Sequence, residues 1–246
     1  MRLTLLSLLP TAIALPAAPQ AQADPVYWLL AGDSTTATNG GWGDAFLSTT
    51  VASGSSGANY GHSGATTKSF RAGGDWSSVM DQVSTHKDSY RVYVTIQFGH
   101  NDQKANSGVS LADYATNLAS FADEAAAAGA TPVLVTPLTR RSFSGGKVVE
   151  NLVNETKATI AVAEANDLHY IDLNGASTRY VNAIGSAAAD KYNLASGDRT
   201  HVNEWGGVVF SRIVSDLLAA KYREEFEGVT VRNETLSALI ADGVAA

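Results

Sequence analysis

The sequence predicts an α/β fold, with a parallel sheet covered by helices on both faces. Three observations carry this expectation. Short runs of apolar, β-branched and aromatic residues recur along the chain, each stopped by glycine or a turn. Segments of helical periodicity separate them. Strands that alternate with helices in this way pair in parallel and are buried on both sides. The third observation is that reactive residue types follow directly on strand ends, where open parallel sheets build their sites.

The elements can be taken in order. Residues 26–31 (VYWLLA) form a buried strand run that ends at Gly32. A weaker strand is expected near 58–61. Residues 91–98 (RVYVTIQF) form the next, ending at Gly99, followed by strands at 131–136 and 169–172. A helix is expected over 110–128, with Ser110 as N-cap and Gly129 as stop. Its apolar positions Leu111, Tyr114, Ala115, Leu118, Phe121 and Ala122 fall on one face. Helices at 149–164 and 204–222 follow the same pattern.

Residues 1–23 stand apart from this fold. Met1-Arg2 is a short basic start, 3–18 are mostly apolar, and Ala21-Gln22-Ala23 is an A-x-A cleavage site. This predicts a secretory signal peptide, removed before Asp24, and a secreted, extracellular protein. Pro10 and Pro16 interrupt the apolar run, which is too short for a membrane anchor. Residues 24–246 then read as one domain, with 224–246 a C-terminal extension of unassigned role. Asn154-Glu155-Thr156 and Asn233-Glu234-Thr235 are sequons, so Asn154 and Asn233 are candidate glycosylation sites.

Composition narrows the function. Charged residues make up 17% and hydrophobic residues 45%, a globular balance. The net charge of −7 argues against nucleic acid as partner. It leaves room for an acidic polysaccharide, because local cations can override the mean field. The chain has no cysteine, which removes disulfides, thiolate catalysis and Cys-ligated zinc.

Four segments carry chemistry. Ser34, in Gly-Asp-Ser-Thr just past the first strand, is a candidate nucleophile, or else a helix N-cap. It lacks the G-x-S-x-G elbow of α/β-hydrolases. Its neighbour Asp33 is expected to brace the turn rather than to join a triad. Of five histidines, His62 and His100 lie close to other site candidates, His86 reads as surface and His169 opens a strand. Only His201 has an acid, Asp198, at a spacing that lets one loop supply both groups. Asp198 can accept the Nδ1 proton and leave Nε2 for the serine. The same pair on a surface loop could be incidental, and no further ligand cluster makes it a metal site. Asn101, Gly64 and the Ser34 N–H can donate to an oxyanion. Asn101-Asp102 could equally be a plain turn, and Gly64 an ordinary loop glycine.

Together these segments resemble the SGNH (GDSL-type) hydrolases. The blocks are Gly32-Asp33-Ser34, then Gly64 within Asn59-Tyr60-Gly61-His62-Ser63-Gly64, then Gly99-His100-Asn101-Asp102, then Asp198-x-x-His201. Thr35 stands where many members have leucine. The resemblance implies Ser34 as nucleophile, His201 as base, Asp198 as orienting acid, and Ser34, Gly64 and Asn101 as oxyanion hole. It also implies a three-layer α/β/α sandwich around a five-stranded parallel, flavodoxin-like sheet, and no metal or organic cofactor. More narrowly, the chain is similar to secreted rhamnogalacturonan acetylesterases. That similarity rests on residues 30–35 and 39–43, 64–70, 98–102, Thr136-Pro137-Leu138 with Arg140-Arg141, and 198–201. The usual Gly-x-Ser stretch is replaced by Gly64-Ala65-Thr66-Thr67-Lys68, and the cysteines of some fungal members are missing.

The expectation is a serine carbohydrate esterase, a monomer, that deacetylates a plant cell-wall polysaccharide. Lys68, Arg71, Arg140, Arg141 and Arg199 are candidates to hold a uronate carboxylate. Alternatives are an acetylxylan or general short-chain esterase or lipase on the same scaffold, and a carbohydrate-binding protein that retains a hydrolase fold.

Overall fold

The structure is a computed structural model that describes residues 24–246. The signal peptide expected at 1–23 lies outside the described residues. The chain runs β1 (Val26–Gly32), α1 (Gly43–Thr49), β2 (Ser56–Asn59), α2 (Thr67–Ala72), α3 (Asp75–His86), β3 (Arg91–Gln97) and α4 (Leu111–Ala127). It continues through β4 (Thr131–Val135), the small hairpin β5 (Phe143–Ser144) and β6 (Lys147–Val148), α5 (Val153–Ala165) and β7 (His169–Ile171). It ends with α6 (Leu173–Ala189), α7 (Glu204–Lys221), α8 (Arg223–Phe226) and α9 (Glu234–Ala241).

Five strands form one parallel sheet in the order β2-β1-β3-β4-β7. The chain reverses its direction of winding between β1 and β3, the point at the strand carboxyl ends where sheets of this kind build their sites. Side chains alternate across the sheet as strand geometry requires. Trp28, Leu30, Tyr93, Val133 and Val135 pack with α1, α6 and α7 on one face. Leu29, Ala31, Val94, Ile96 and Leu134 pack with Phe70, Trp76, Leu118 and Phe121 on the other.

The α4 expectation matches in its bounds and caps, whereas Leu111, counted on the apolar face, lies exposed in the first turn. The Ser110 side chain accepts from the Asp113 N–H, and the Asp113 carboxylate accepts from the Ser110 N–H, a capping box. Other boundaries differ. β2 begins two residues before the expected 58–61 strand. α5 begins at Val153 rather than 149, because 143–148 pair as the β5–β6 hairpin.

The segment 224–246 belongs to the domain core. Phe226 is fully buried and stacks on Trp28 at 5.4 Å. Glu225 accepts from the Tyr93 hydroxyl at 2.8 Å and lies 2.7 Å from His169 Nε2. Val231 N–H donates to the Thr50 carbonyl at 2.7 Å. Among the described residues, no helix is long and apolar enough to cross a membrane.

Candidate active site

Ser34 sits in a tight turn at the end of β1. The N–H groups of Thr36 and Ala37 both donate to the Asp33 carbonyl. Asp33 Oδ1 accepts from the Thr35 N–H and the Thr35 hydroxyl, both at 2.8 Å. Gln97, at the end of β3, donates from Nε2 to Thr35 Oγ1 at 2.7 Å. Its Oε1 accepts from Thr36 Oγ1 at 3.1 Å and from the indole of Trp42. The next helix starts only at Gly43, so Ser34 caps nothing. The turn is held from three sides, and Ser34 has a defined direction.

That direction is toward His201. Its Nε2 lies 2.8 Å from Ser34 Oγ, and its Nδ1 lies 2.8 Å from Asp198 Oδ2. The other carboxylate oxygen of Asp198 accepts the backbone N–H groups of Thr200 and His201, both at 3.0 Å. Burial alone would push the Asp198 carboxyl up, but these N–H bonds and the His201 ring hold it below the usual range. The histidine loop is itself braced. The His201 carbonyl accepts from the Leu194 N–H at 3.0 Å, and the Val202 N–H donates to the Gly40 carbonyl at 2.9 Å.

The other four histidines are engaged elsewhere. His62 is exposed, with Nδ1 2.8 Å from Asp75. His86, expected at the surface, is partly buried and stacks on Tyr27 at 3.6 Å. His169 meets Glu225. His100 is buried with its Nδ1 3.5 Å from Asp33. Burial by itself would raise the Asp33 carboxyl, but His100 and the Thr35 bonds hold it low.

Asn101 follows β3 after Gly99, whose φ of +130° suits only glycine. The Asn101 Nδ2 donates to the Ala65 carbonyl at 2.9 Å, and Oδ1 accepts from Lys104 Nζ at 2.6 Å. Asp102 Oδ1 accepts from the N–H and hydroxyl of Thr67, at 2.8 and 2.7 Å. These bonds tie the β3 turn to the Gly64–Ala65 segment. Gly64 is exposed at φ +83°, and a Cβ there would meet nothing within 4 Å. Its backbone is therefore open to an approaching group.

The cations expected to line the site divide sharply. Arg71 is not free for substrate. It forks onto Glu124 at 2.8 and 3.0 Å and lies over Phe121, so it clamps α2 to α4. Arg199 is likewise spent on Asp190, at 3.1 and 3.2 Å. Arg141 has no solvent exposure and cannot touch a polymer. It binds Asn193 Oδ1 at 2.7 Å and the His201 carbonyl at 2.6 Å. Arg140 and Lys68 remain. Arg140 is half-buried, 3.5 Å from the His100 carbonyl, and Lys68 is exposed beside Gly108. Among the described residues neither has a carboxylate within ion-pair distance.

Sequence reasoning passed over two residues. Gln97 was hidden in a strand run, although a lone amide in RVYVTIQF signals a buried hydrogen-bonding role. Lys104 had no signal beyond its place three residues after Asn101. A groove of about 380 Å³ opens beside His201, lined by Asn39, Asp44, Leu194, Asn203 and Glu204. It carries acids and no cation, whereas Lys68, Lys104 and Arg140 lie on the segments that follow β2, β3 and β4.

Comparison with known proteins bears on the family and the fold. Residues 30–207 match the GDSL-like lipase/acylhydrolase family. A rhamnogalacturonan acetylesterase of Bacillus subtilis is 31% identical over 212 residues, 78% of this chain and 89% of the relative. A probable rhamnogalacturonan acetylesterase from the same organism is 25% identical, over 76% and 89% of the two chains. Among solved structures, a B. subtilis protein superposes with a TM-score of 0.69 at 23% identity over 84% of this chain. This chain spans 58% of that longer protein. An acetylxylan esterase from Geobacillus stearothermophilus superposes with a TM-score of 0.57 at 17% identity, over 81% and 94% of the two chains. The four blocks of sequence, the five-stranded parallel sheet and these relatives agree: the chain belongs to the GDSL-like lipase/acylhydrolase family, and it is a carboxylic ester hydrolase.

Proposed function

We propose that this protein is a secreted serine esterase that removes acetyl groups from rhamnogalacturonan through Ser34, His201 and Asp198. The observation that carries the mechanism is the unbroken line Ser34 Oγ–His201 Nε2 and His201 Nδ1–Asp198 Oδ2, each 2.8 Å. Ser34 attacks the acetyl carbonyl as His201 takes its proton. Asp198 holds the imidazole in the tautomer that presents a free Nε2 and stabilises the imidazolium. The oxyanion is met by the N–H groups of Ser34 and Gly64 and by the Asn101 amide. His201 then protonates the departing sugar oxygen, and water repeats the sequence to release acetate. Nothing in this cycle requires a metal or organic cofactor.

The substrate assignment is supported by the 31% identical relative and by the two cations left unpaired, Arg140 and Lys68. A uronate carboxylate would sit on their side, with an uncharged sugar toward the groove beside His201. Secretion and glycan attachment at the exposed Asn154 and Asn233 complete the proposal. Acetate release should be measured in parallel on acetylated rhamnogalacturonan, homogalacturonan and xylan, with Ser34→Ala as control. Preference for xylan would replace the pectic assignment with an acetylxylan one, and residual full activity in Ser34→Ala would remove the nucleophile.

A further inference from the structure

We propose that Lys104 is a positioning residue, one that fixes which way the Asn101 amide faces and strengthens its N–H as a donor to the oxyanion. This rests on the reading of Asn101 as an oxyanion donor. The argument begins with the shape of an amide. Its oxygen and nitrogen ends are nearly the same size, so packing alone does not choose between two orientations. Hydrogen bonding does choose here. The Lys104 ammonium has only protons to give, and the Ala65 carbonyl can only accept. With Oδ1 2.6 Å from Lys104 Nζ and Nδ2 2.9 Å from the Ala65 oxygen, both are satisfied. Turned over, the amide would set N–H against ammonium and oxygen against oxygen. Asn101 is 6% exposed, which leaves little room for water to repair those contacts.

The same pair affects donor strength. Nδ2 carries two hydrogens, and Ala65 takes one, so the second is left for the substrate. A cation on Oδ1 draws electron density through the amide and makes that second N–H the stronger donor. The backbone keeps Lys104 in place for this. The Gln103 N–H donates to the Gly99 carbonyl, the Lys104 N–H to the Asn101 carbonyl and the Ser107 N–H to the Lys104 carbonyl. Ser107 Oγ closes the loop on the Asp102 carbonyl at 2.7 Å. Among the described residues Lys104 has no carboxylate within ion-pair distance, so its charge is not spent elsewhere.

The test uses a small neutral aryl acetate, on which binding of a polymer carboxylate plays no part. Lys104→Met, which removes the charge and keeps most of the stem, should lower kcat about tenfold, the scale of one weakened charge-assisted hydrogen bond. KM and melting temperature should stay near those of the wild type. Lys104→Arg should recover most of the rate. Lys104→Gln, which retains a donor without charge, separates orientation from polarisation and stands in if Lys104→Met folds poorly. In an Asn101→Ala background, adding Lys104→Met should slow the enzyme no further. A wild-type kcat in both Lys104→Met and Lys104→Gln overturns the proposal, as does a full further loss on top of Asn101→Ala. If Asn101→Ala itself keeps the wild-type kcat, it is the oxyanion reading that fails.

Discussion

Arg141 donates from Nη2 to the carbonyl oxygen of His201 at 2.6 Å, from a side chain with no solvent exposure. Its Nε holds Asn193 Oδ1 at 2.7 Å, and its N–H holds the Arg199 carbonyl at 2.8 Å. Burial pulls its guanidinium down to about 10, so it is still a cation at neutral pH. Removing it would leave the buried Asn193 Oδ1 without its donor, take one of two donors from the His201 carbonyl and free the loop that presents the histidine. Arg141→Ala should therefore cost ~3 kcal/mol in urea denaturation. Activity should fall alike on polymer and on aryl acetate, and Arg141→Lys should restore little, because a point charge cannot fork.

Arg140 should behave in the opposite way. Arg140→Ala is expected to raise KM for acetylated rhamnogalacturonan about tenfold, the value of one good charged contact, while sparing a neutral aryl acetate. Arg71→Ala should leave both KM values unchanged, since Arg71 is bound to Glu124. Steady-state kinetics on the two substrates separate these outcomes.

Asp198→Asn replaces an acceptor with a group that can donate to His201 Nδ1, which favours the wrong tautomer. A loss of ~10³–10⁴ in kcat is expected, with folding intact by circular dichroism. A loss below tenfold would remove Asp198 from the triad.

Stability should depend on acid through Glu124. Burial would raise its carboxyl, but hydrogen bonds from Arg71, Trp76 and Ser120 hold it below the usual range. A depressed carboxyl stabilises the fold above the unfolded-state value, and this is lost as pH falls through the folded one. Glu124→Gln should thus lower Tm at pH 7, and the difference from wild type should shrink below about pH 4. Differential scanning fluorimetry across pH reads this directly.

Phe226→Ala should cost ~3–5 kcal/mol in chemical denaturation, the range for truncating a fully buried aromatic. Phe226 lies 5.4 Å from Trp28 and 5.0 Å from Tyr93, ring to ring, so the loss would open a cavity against the central strands. A cost under 1 kcal/mol would mean that 224–246 is an appendage.

How legible each part was follows from how local its cause is. The α4 boundaries were readable because Ser110 and Gly129 act within a few residues of themselves. β1 and β3 were readable from uninterrupted apolar runs. α1, α2, α3, α6, α8 and α9 were not anticipated: α2 spans six residues, and α6 contains Gly185 at φ 76°. The blocks around Ser34, Gly64, Asn101 and His201 could be found because each is a short motif at a strand end or within one loop.

The sequence by itself determined the layered α/β class and the family, and it nominated the side chains proposed to react, because periodicity and short motifs are written along the chain. Only the tertiary structure decided which charges were free. Arg71 and Arg140 look alike as letters, and Arg141 is Arg140's neighbour. Their fates depend on Glu124, Asn193 and the His201 carbonyl, partners 52 to 60 residues away for Arg141 and 53 for Arg71. Whether a cation meets substrate or holds the scaffold is set by what else is buried beside it, and a neighbour in space has no signature in the sequence.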